Sequence, residues 1–388
     1  MRFVIAPDSY KGCLTSAEAG QIMARALREE MPDSEIHIVP MADGGEGTVD
    51  ALVKAAGGQL VRTQITGPLG ELTESFFGII EDSEDSVAVI ETAAICGLPM
   101  VPEERRNPML TTTRGLGETI REALNLGIRR FVIGLGGSAT NDGGLGMLTA
   151  LGARFKLKDG SAAEGFGREL GALSEASFEG LDSRLSECRI IIACDVTNPL
   201  LGELGASYVF GPQKGATPEQ VLELDAAMRH YAGLVERQLS KPLRDTPGTG
   251  AAGGLGFAFI ALGAQLVPGA QIVEDMTGLG GLIAAADWVF TGEGRSDRQT
   301  LYGKLPYHVA QLAKKAGKPV TLISGSLGEG SEELHAHFTG CFSIVRAPSD
   351  LEANLEAAEF NLFECTRSVA RLILHTFADS RQTGNPDE

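Results

Sequence analysis

The sequence is poor in paired cysteines and in long apolar runs, and each shortage argues against a class of protein. Its six cysteines are scattered along 388 residues without a Cys-x-x-Cys pair, which is typical of reduced thiols in a cytosolic protein and not of a disulfide-stapled scaffold. No segment resembles an uninterrupted membrane span, and no long apolar leader follows the first methionine. We therefore expect a cytoplasmic protein with no membrane partner.

Cations are also scarce. Lysine and arginine number 33 against 51 acidic residues, so the formal net charge is −18. A surface that is mostly negative repels nucleic acid and anionic membranes, and we expect neither as a partner. An acidic protein that binds an anion must gather its few cations locally. The candidates in loops are Lys11, Arg114, Lys214, Arg295 and Lys304.

Several catalytic motifs are missing as well. A P-loop requires Ser or Thr after Gly-Lys, but Lys304 is followed by Leu305 and Lys318 by Pro319, which argues against a Walker-type ATPase. Neither G-x-S-x-G nor H-E-x-x-H occurs, so a serine hydrolase and a zinc protease have no support.

Two spacings partly match the dinucleotide-binding fingerprint, Gly134-x-Gly136-x-x-Ala139 and Gly248-x-Gly250-x-x-Gly253. The first lacks an acidic residue about twenty positions later, and the second does not follow a strand pattern. They leave open an NAD(P)-dependent oxidoreductase of a small hydroxy acid. A non-catalytic module that binds a phosphorylated metabolite is a second alternative.

What the chain does contain is a repeated order of short apolar run, polar glycine-rich loop and helical pattern. Such runs begin at Phe3, Ile36, Ile190, Trp288 and Val320. This order predicts an α/β fold with a Rossmann-like parallel sheet, in which ligands bind at the carboxyl ends of the strands.

The middle of the chain breaks this order. Gln59 to Ile90 reads as an antiparallel hairpin set, and the βα order returns after Asp287. We therefore predict two domains, a discontinuous Rossmann-like domain of residues 1–58 and 285–388 and an inserted mixed α/β domain of residues 59–284.

The most informative loop is Gly134 to Gly144, which follows the apolar run Phe131 to Ile133 and precedes a helical pattern. Its glycines allow positive φ and a close approach of ligand oxygens to backbone amides, and the following helix favours an anion. A tight turn with a helix cap explains the same residues on local grounds alone. Both interpretations remain open for this loop taken by itself.

Loops rich in glycine, carboxylate, amide and a few cations suit phosphoryl transfer, because that chemistry depends on positioning and charge neutralisation. The same residues could be caps and Asx turns, for example at Asp43, Asp142 and Asp195. Five such loops at predicted strand ends favour a site.

Seven segments of the chain together resemble the type I bacterial glycerate kinase family (D-glycerate 2-kinase), in order and over nearly the whole chain. The segments are Ala6–Lys11, Ala42–Thr48, Gly136–Gly144, Cys194–Leu200, Phe210–Ala216, Gly250–Gly254 and Thr291–Gly294. The resemblance implies ATP-dependent phosphorylation of D-glycerate at the 2-hydroxyl, in a two-domain α/β fold with an active-site cleft between the domains. The 3-phosphate product is an alternative. Mg²⁺ is the expected cofactor of such a transfer, and we expect a monomer or homodimer.

The chemistry of the loops suggests roles. We predict that Asp195 orients or deprotonates the acceptor hydroxyl, with Asp8 and Lys11 as further catalytic residues. Glu293 and Asp297 are the predicted Mg²⁺ ligands, although Asp297 could equally cap a helix. Arg114 is a candidate clamp for the substrate carboxylate. The remaining predicted substrate or nucleotide contacts are Ser9, Asp43, Gly44, Gly45, Glu46, Gly136, Gly137, Ser138, Asn141, Asp142, Asn198, Gln213, Lys214, Gly253, Gly254 and Lys304.

Overall fold

The computed structural model describes residues 1–42, 44–45, 47–81 and 85–382, the last six of these as helix backbone. Internal contacts divide the chain into two compact units, one of residues 1–42 and 273–388 and the other of residues 43–272. Among the helices of the described ranges, none is long and apolar enough to cross a bilayer.

The discontinuous unit contains a five-stranded sheet in the order β13-β12-β11-β1-β2, and every neighbouring pair is parallel. Its strands are β1 (Arg2–Ile5), β2 (Glu35–Ile38), β11 (Trp288–Ser296), β12 (Val320–Leu327) and β13 (Gly340–Ser343). Its helices are α1 (Ser16–Glu30), α10 (Leu279–Ala285), α11 (Leu305–Lys315), α12 (Leu351–Glu356) and α13 (Ala358–Gln382).

Helix α1 shows why the sequence folds as it does here. The hydroxyl of Thr15 accepts a hydrogen bond from the Glu18 backbone N, while the Glu18 carboxylate accepts one from the Thr15 backbone N. This capping box satisfies two amides that the first turn leaves free. The apolar stripe that includes Met23 and Leu27 is fully buried and joins a core with Leu362 of α13 and Phe290 of β11.

The second unit contains a six-stranded mixed sheet and a two-stranded hairpin. The six strands lie in the order β10-β9-β6-β5-β4-β3, parallel from β10 to β5 and antiparallel from β5 to β3. They are β3 (Gln59–Thr66), β4 (Leu72–Glu81), β5 (Ser86–Glu91), β6 (Arg130–Gly134), β9 (Arg189–Ala193) and β10 (Gln265–Val267), and the hairpin is β7 (Arg154–Leu157) with β8 (Leu173–Ser177).

The helices of this part of the chain complete the element order. They are α2 (Thr48–Ala56), α3 (Thr92–Cys96), α4 (Arg114–Asn125), α5 (Leu145–Ala150), α6 (Ala206–Phe210), α7 (Pro218–Leu239), α8 (Ala251–Ala261) and α9 (Gly269–Thr277), which contains the unit border after Ile272. One apolar core, which includes Phe131, Ile133 and Phe257, lies between the sheet and these helices.

The structure confirms the predicted α/β class, with a parallel sheet from two separate chain segments and a mixed sheet that begins with the predicted hairpins. The predicted domain borders, after residues 58 and 284, differ from the borders of the compact units, after residues 42 and 272. Helix α2 accounts for the first difference, because Val49 and Val53 lie against Gly78 of strand β4 in the second unit. The domain division itself stays a prediction.

Candidate functional site

In the second unit, the loop that follows β6 packs backbone against backbone on the loop that precedes α2. Gly136 N donates a hydrogen bond to Gly44 O at 3.0 Å. A Cβ atom on Gly134 would lie 2.3 Å from Gly44 O, and one on Gly136 would lie 2.6 Å from the Cα atom of Gly45. These glycines are therefore required by close packing. Asp43 and Glu46, predicted in the same loop, lie outside the described residues.

Asp142 anchors the loop after β6 from the inside. Its side chain is fully buried, and Oδ2 accepts hydrogen bonds from Thr113 N at 2.8 Å, Thr113 Oγ1 at 2.7 Å and Gly146 N at 3.2 Å, while Oδ1 accepts one from Gly144 N at 3.1 Å. Burial raises the pKa of this carboxyl, and the four donors oppose that effect. Asp142 therefore acts on the loop's own backbone, which gives it the character of a scaffold residue.

The predicted pair Gly253 and Gly254 holds the same loop from the other side. Gly143 N donates to Gly253 O at 3.0 Å, and both glycines have positive φ, +68° and +91°, inside a kink of α8. A Cβ atom on Gly253 would lie 2.0 Å from Thr140 O. Only glycine fits this combination of backbone conformation and contact.

Lys214 supplies a positive charge to the inner side of the loop. It ends the short 3₁₀ turn Pro212–Lys214 and is 2% exposed, whereas its neighbour Gln213 is exposed. Its Nζ donates to Ser138 Oγ at 2.9 Å and to Thr140 O at 2.7 Å. Burial lowers the pKa of Lys214 to about 8, because removal from water disfavours the ammonium form.

Asn141 contributes a second buried polar group. Its Nδ2 donates to Ser207 Oγ at 2.9 Å, while its Oδ1 is buried without a hydrogen-bond partner in the described part of the protein. Buried polar atoms without partners are uncommon in folded proteins. One end of this amide is therefore available to a ligand.

The other predicted residues of this unit have structural bonds of their own. Asp195 is exposed and its Oδ1 accepts a hydrogen bond from Gly269 N at the start of α9, at 3.0 Å. Asn198, on the same loop, donates from Nδ2 to Leu204 O at 2.8 Å. Arg114 begins α4, and its Nε lies 3.1 Å from Glu118 Oε1 one helical turn away. These positions leave their predicted roles as proposals.

Sequence reasoning missed Glu91, the last residue of β5. This carboxylate is 4% exposed, and it accepts hydrogen bonds from Gly47 N at 3.2 Å and Val49 N at 3.1 Å. It thus holds the start of α2 and the loop that carries Gly44 and Gly45. Its signal was present, since Glu91 ends an apolar run directly before a helix, as the other singled-out loops do.

In the discontinuous unit, Glu293 of β11 is the centre of a buried polar cluster. Its Oε1 accepts hydrogen bonds from Ser296 Oγ at 2.8 Å and Thr300 Oγ1 at 2.7 Å, and its Oε2 lies 3.4 Å from Lys304 Nζ. The hydroxyls fix one oxygen of the carboxylate and leave the other facing a partly exposed lysine.

Asp297 follows the same strand and caps the next 3₁₀ turn. Its Oδ1 accepts a hydrogen bond from Gln299 N at 2.9 Å, and its Oδ2 lies 3.4 Å from Arg295 Nε. The cap interpretation therefore has a direct structural basis, and Oδ2 is paired with the exposed Arg295. Within the described ranges, no three His, Cys, Asp or Glu side chains form a group that could hold a metal by themselves.

The loop after β1 lies along the end of β11. Asp8 N donates to Gly292 O at 2.8 Å, and a Cβ atom on Gly294 would lie 3.2 Å from Lys11 N. Ser9 N donates to Asp8 Oδ1 at 2.6 Å, and the buried Tyr10 hydroxyl donates to Ile323 O at 2.6 Å. Lys11 is exposed. The strand ends of this sheet thus place the predicted residues of β1 and β11 side by side.

Taken together, the structure forms two groups of predicted residues, one in each unit. The group of the second unit contains Gly44, Gly45, Gly136, Gly137, Ser138, Asn141, Asp142, Lys214, Gly253 and Gly254. The group of the discontinuous unit contains Asp8, Ser9, Lys11, Glu293, Asp297 and Lys304. The first group offers a buried lysine and backbone amides to an anionic ligand, whereas the second combines two lysines with three carboxylates.

Comparisons with known proteins agree on one family. The model of the glycerate kinase family matches residues 3–374. A glycerate kinase of Haemophilus influenzae is 47% identical over 380 residues, which cover 97% of this chain and 100% of that relative. A glycerate 2-kinase of Escherichia coli K12 is 45% identical over 372 residues, 95% of this chain and 97% of that relative.

Solved structures give the same result. A crystal structure from Salmonella typhimurium LT2 that carries the provisional name glycerate kinase 2 superimposes with a TM-score of 0.86 at 44% sequence identity. The match covers 99% of this chain and 100% of that one.

Proposed function

The chain belongs to the glycerate kinase family and is a kinase, and on that premise we propose that it transfers the γ-phosphoryl group of ATP to the 2-hydroxyl of D-glycerate. The products are 2-phosphoglycerate and ADP. The name of the Escherichia coli relative supports the 2-position. The observation that carries the proposal is the buried ammonium of Lys214 on the loop after β6, a fixed positive charge suited to an acidic substrate.

The oxidoreductase alternative loses its main support. Gly134 and Gly136 of the first partial fingerprint lie against the backbone of Gly44 and Gly45, so their lack of side chains serves protein packing and not the approach of a pyrophosphate. The second partial fingerprint ends at Gly253, which packs on Thr140.

In the proposed transfer, one proton moves, one bond forms and one bond breaks. Asp195 accepts the proton of the substrate 2-hydroxyl, the oxygen forms a bond to the γ-phosphorus, and the bond from that phosphorus to the β,γ-bridging oxygen breaks to release ADP. Negative charge on the transferred phosphoryl oxygens requires cations. Lys11 and Lys304 are the proposed phosphate contacts, with Asp8 supporting the loop that carries Lys11.

The donor set around Glu293 fits a magnesium ion that is bound mainly by nucleotide phosphates and water. Such an ion needs only one or two protein carboxylates. Glu293 has one oxygen oriented by Ser296 and Thr300 and the other facing a partly exposed lysine. Asp297 uses Oδ1 for the cap, and its Oδ2 faces the exposed Arg295. When bound, Mg²⁺ neutralises charge on the phosphates. Glu293 and Asp297 would hold it.

A coupled assay of ADP release tests the proposal. We expect release from ATP and Mg²⁺ to depend on D-glycerate, and ³¹P and ¹³C NMR of the product to show phosphate on carbon 2. Phosphate on carbon 3 would show that the 3-hydroxyl is the one phosphorylated. ADP release that does not depend on D-glycerate would refute the proposed function. Asp195→Asn should lower kcat by a factor of about 10² or more while the protein stays folded. The matched control Asp245→Asn alters an acid outside both groups.

A further inference from the structure

Lys214 keeps part of its bonding capacity unused. An ammonium group has three hydrogens to donate, and the two acceptors of Lys214 Nζ are the neutral oxygens Ser138 Oγ and Thr140 O. Ser138 is 5% exposed, and its own hydroxyl hydrogen has no acceptor within the described residues. The pair Lys214–Ser138 therefore presents a buried charge together with an unused hydroxyl donor.

No carboxylate of the described residues forms an ion pair with Lys214. Asp142 is the acidic residue that influences it, and its oxygens already accept hydrogen bonds from Thr113 and from loop amides. Cys96 is the other titratable neighbour, and burial raises the pKa of its thiol, which keeps it neutral. A buried charge without a partner is costly for a folded protein. An anionic ligand would supply the counter-charge that the described residues do not provide.

We propose that Lys214 and Ser138 form the subsite for the carboxylate of the acid substrate, and that Asn141 Oδ1 accepts a hydrogen bond from one of its hydroxyls. This inference rests on the proposed function and specifies it. A carboxylate bound here fixes the position of carbon 2, which is bonded to it. The substrates that accept the phosphoryl group would therefore be 2-hydroxy acids. Glycerol, which has the hydroxyls but no carboxylate, would not bind.

A carboxylate suits this subsite better than a triphosphate does. One ammonium and one hydroxyl match a compact monoanion, whereas a triphosphate carries several charges and needs several cations. The discontinuous unit has three exposed or partly exposed cations that suit a triphosphate, Lys11 and Lys304 in loops and Arg295 near the end of β11. Arg114, the residue that the sequence suggested for the carboxylate, is half exposed and already paired with Glu118.

Isothermal titration with D-glycerate and with a non-hydrolysable ATP analogue tests the subsite without turnover. In Lys214→Met, the loss of a charge-assisted contact should weaken D-glycerate binding by about 10- to 100-fold and change analogue binding by less than about twofold. Ser138→Ala should weaken D-glycerate binding in the same direction, and the control Lys158→Met, at an exposed lysine whose Nζ donates to Gly171 O, should leave it unchanged. Weakened analogue binding with normal glycerate binding would overturn the proposal, as would normal binding of both ligands.

A wild-type measurement covers the case in which Lys214→Met does not fold. Titrations at pH 8.5 in buffers of different ionisation enthalpy give the number of protons taken up when D-glycerate binds. Uptake of a fraction of a proton is expected with D-glycerate, together with at least about tenfold weaker binding of glyceramide and glycerol. Absence of uptake, or equal binding of the uncharged compounds, would overturn the subsite. Glycerate-dependent ADP release in the same preparation would show that the proposed function still stands.

Discussion

The carboxylate of Asp142 accepts hydrogen bonds from both the backbone N and the side-chain Oγ1 of Thr113, 29 residues earlier in the chain. Thr113 Oγ1 in turn accepts one from Met147 N at 3.0 Å. Two segments that are distant in sequence are thereby fixed to each other at the loop that carries Ser138. We expect the loop to keep its shape without a ligand.

Asp142→Asn should therefore destabilise the protein. An amide group in place of one carboxylate oxygen presents a donor to amides that are themselves donors, and the loss should be about 2–4 kcal/mol in the free energy of unfolding. Urea denaturation measures it. The control is Asp159→Asn, at an exposed turn where the carboxylate accepts from Ser161. Equal stability of the two variants would contradict the anchor role.

Gly253→Ala should lower the free energy of unfolding more than the same substitution at a glycine that has positive φ but free space around it. Gly263 has φ of +85°, and a Cβ atom added there would have no neighbour within 4 Å, so Gly263→Ala tests backbone strain alone, at about 1 kcal/mol. Gly253→Ala adds a clash with Thr140 O and should cost about 3 kcal/mol or more. Thermal unfolding of both variants gives the difference, and similar melting temperatures would count against the contact between α8 and the loop.

These residues also show which features could be predicted from the sequence and which could not. The order of apolar runs and loops predicted the α/β fold, and Thr15 with Glu18 predicted a helix start that the structure confirms. The glycines of the Gly134 loop, by contrast, suggested ligand contacts, although Gly134 and Gly136 serve packing against another loop. Local pattern could not reveal that partner, because the contact joins segments that are far apart along the chain. The burial of Lys214 and the bonds of Glu91 are tertiary facts of the same kind.

Glu91→Gln should disturb the loop before α2 more than the overall fold. A glutamine keeps one acceptor oxygen where Glu91 uses two, for Gly47 N and Val49 N. We expect kcat/KM to fall by about tenfold with a change in unfolding free energy of about 1–2 kcal/mol, since one hydrogen bond to a charged group is lost. The conservative variant Glu91→Asp should recover part of the activity if the charge matters. Glu81→Gln, an exposed acid on β4, is the control, and equal kinetics for both Gln variants would refute the positioning role.

Binding of D-glycerate should weaken as the pH rises above about 8. The pKa of Lys214 in the free protein is lowered to about 8 by burial, and an anionic ligand favours its ammonium form. Above that pH the complex must regain a proton, so Kd should increase by up to about tenfold per pH unit. In the unliganded protein, the unfolded chain, whose lysine has a pKa near 10.5, binds more protons at this site than the folded protein does between about pH 8 and pH 10.5. The contribution of Lys214 to the free energy of unfolding should therefore rise with pH across that interval. Lys214→Met should remove the ligand effect, and a flat wild-type profile would exclude this titration.

The two roles of Asp297, helix cap and magnesium ligand, can be separated by one pair of variants. Asp297→Ser retains a side-chain oxygen that can accept from Gln299 N and so preserves the cap. Asp297→Ala removes both the cap and the carboxylate. If the carboxylate binds Mg²⁺ in the complex with ATP, both variants should require a higher Mg²⁺ concentration for half-maximal activity, by about fivefold or more, because a charged ligand to a hard cation is lost.

If Asp297 only caps the turn, the serine variant should behave like the wild-type protein, and the alanine variant should show a loss of about 1 kcal/mol in stability with an unchanged Mg²⁺ requirement. Titration of activity against Mg²⁺ at saturating ATP, with thermal unfolding of each variant, distinguishes the two patterns. Glu293→Gln completes the comparison, since it keeps an acceptor for Ser296 and Thr300 and removes the negative charge beside Lys304. A normal Mg²⁺ requirement in all three variants would place the metal ligands elsewhere.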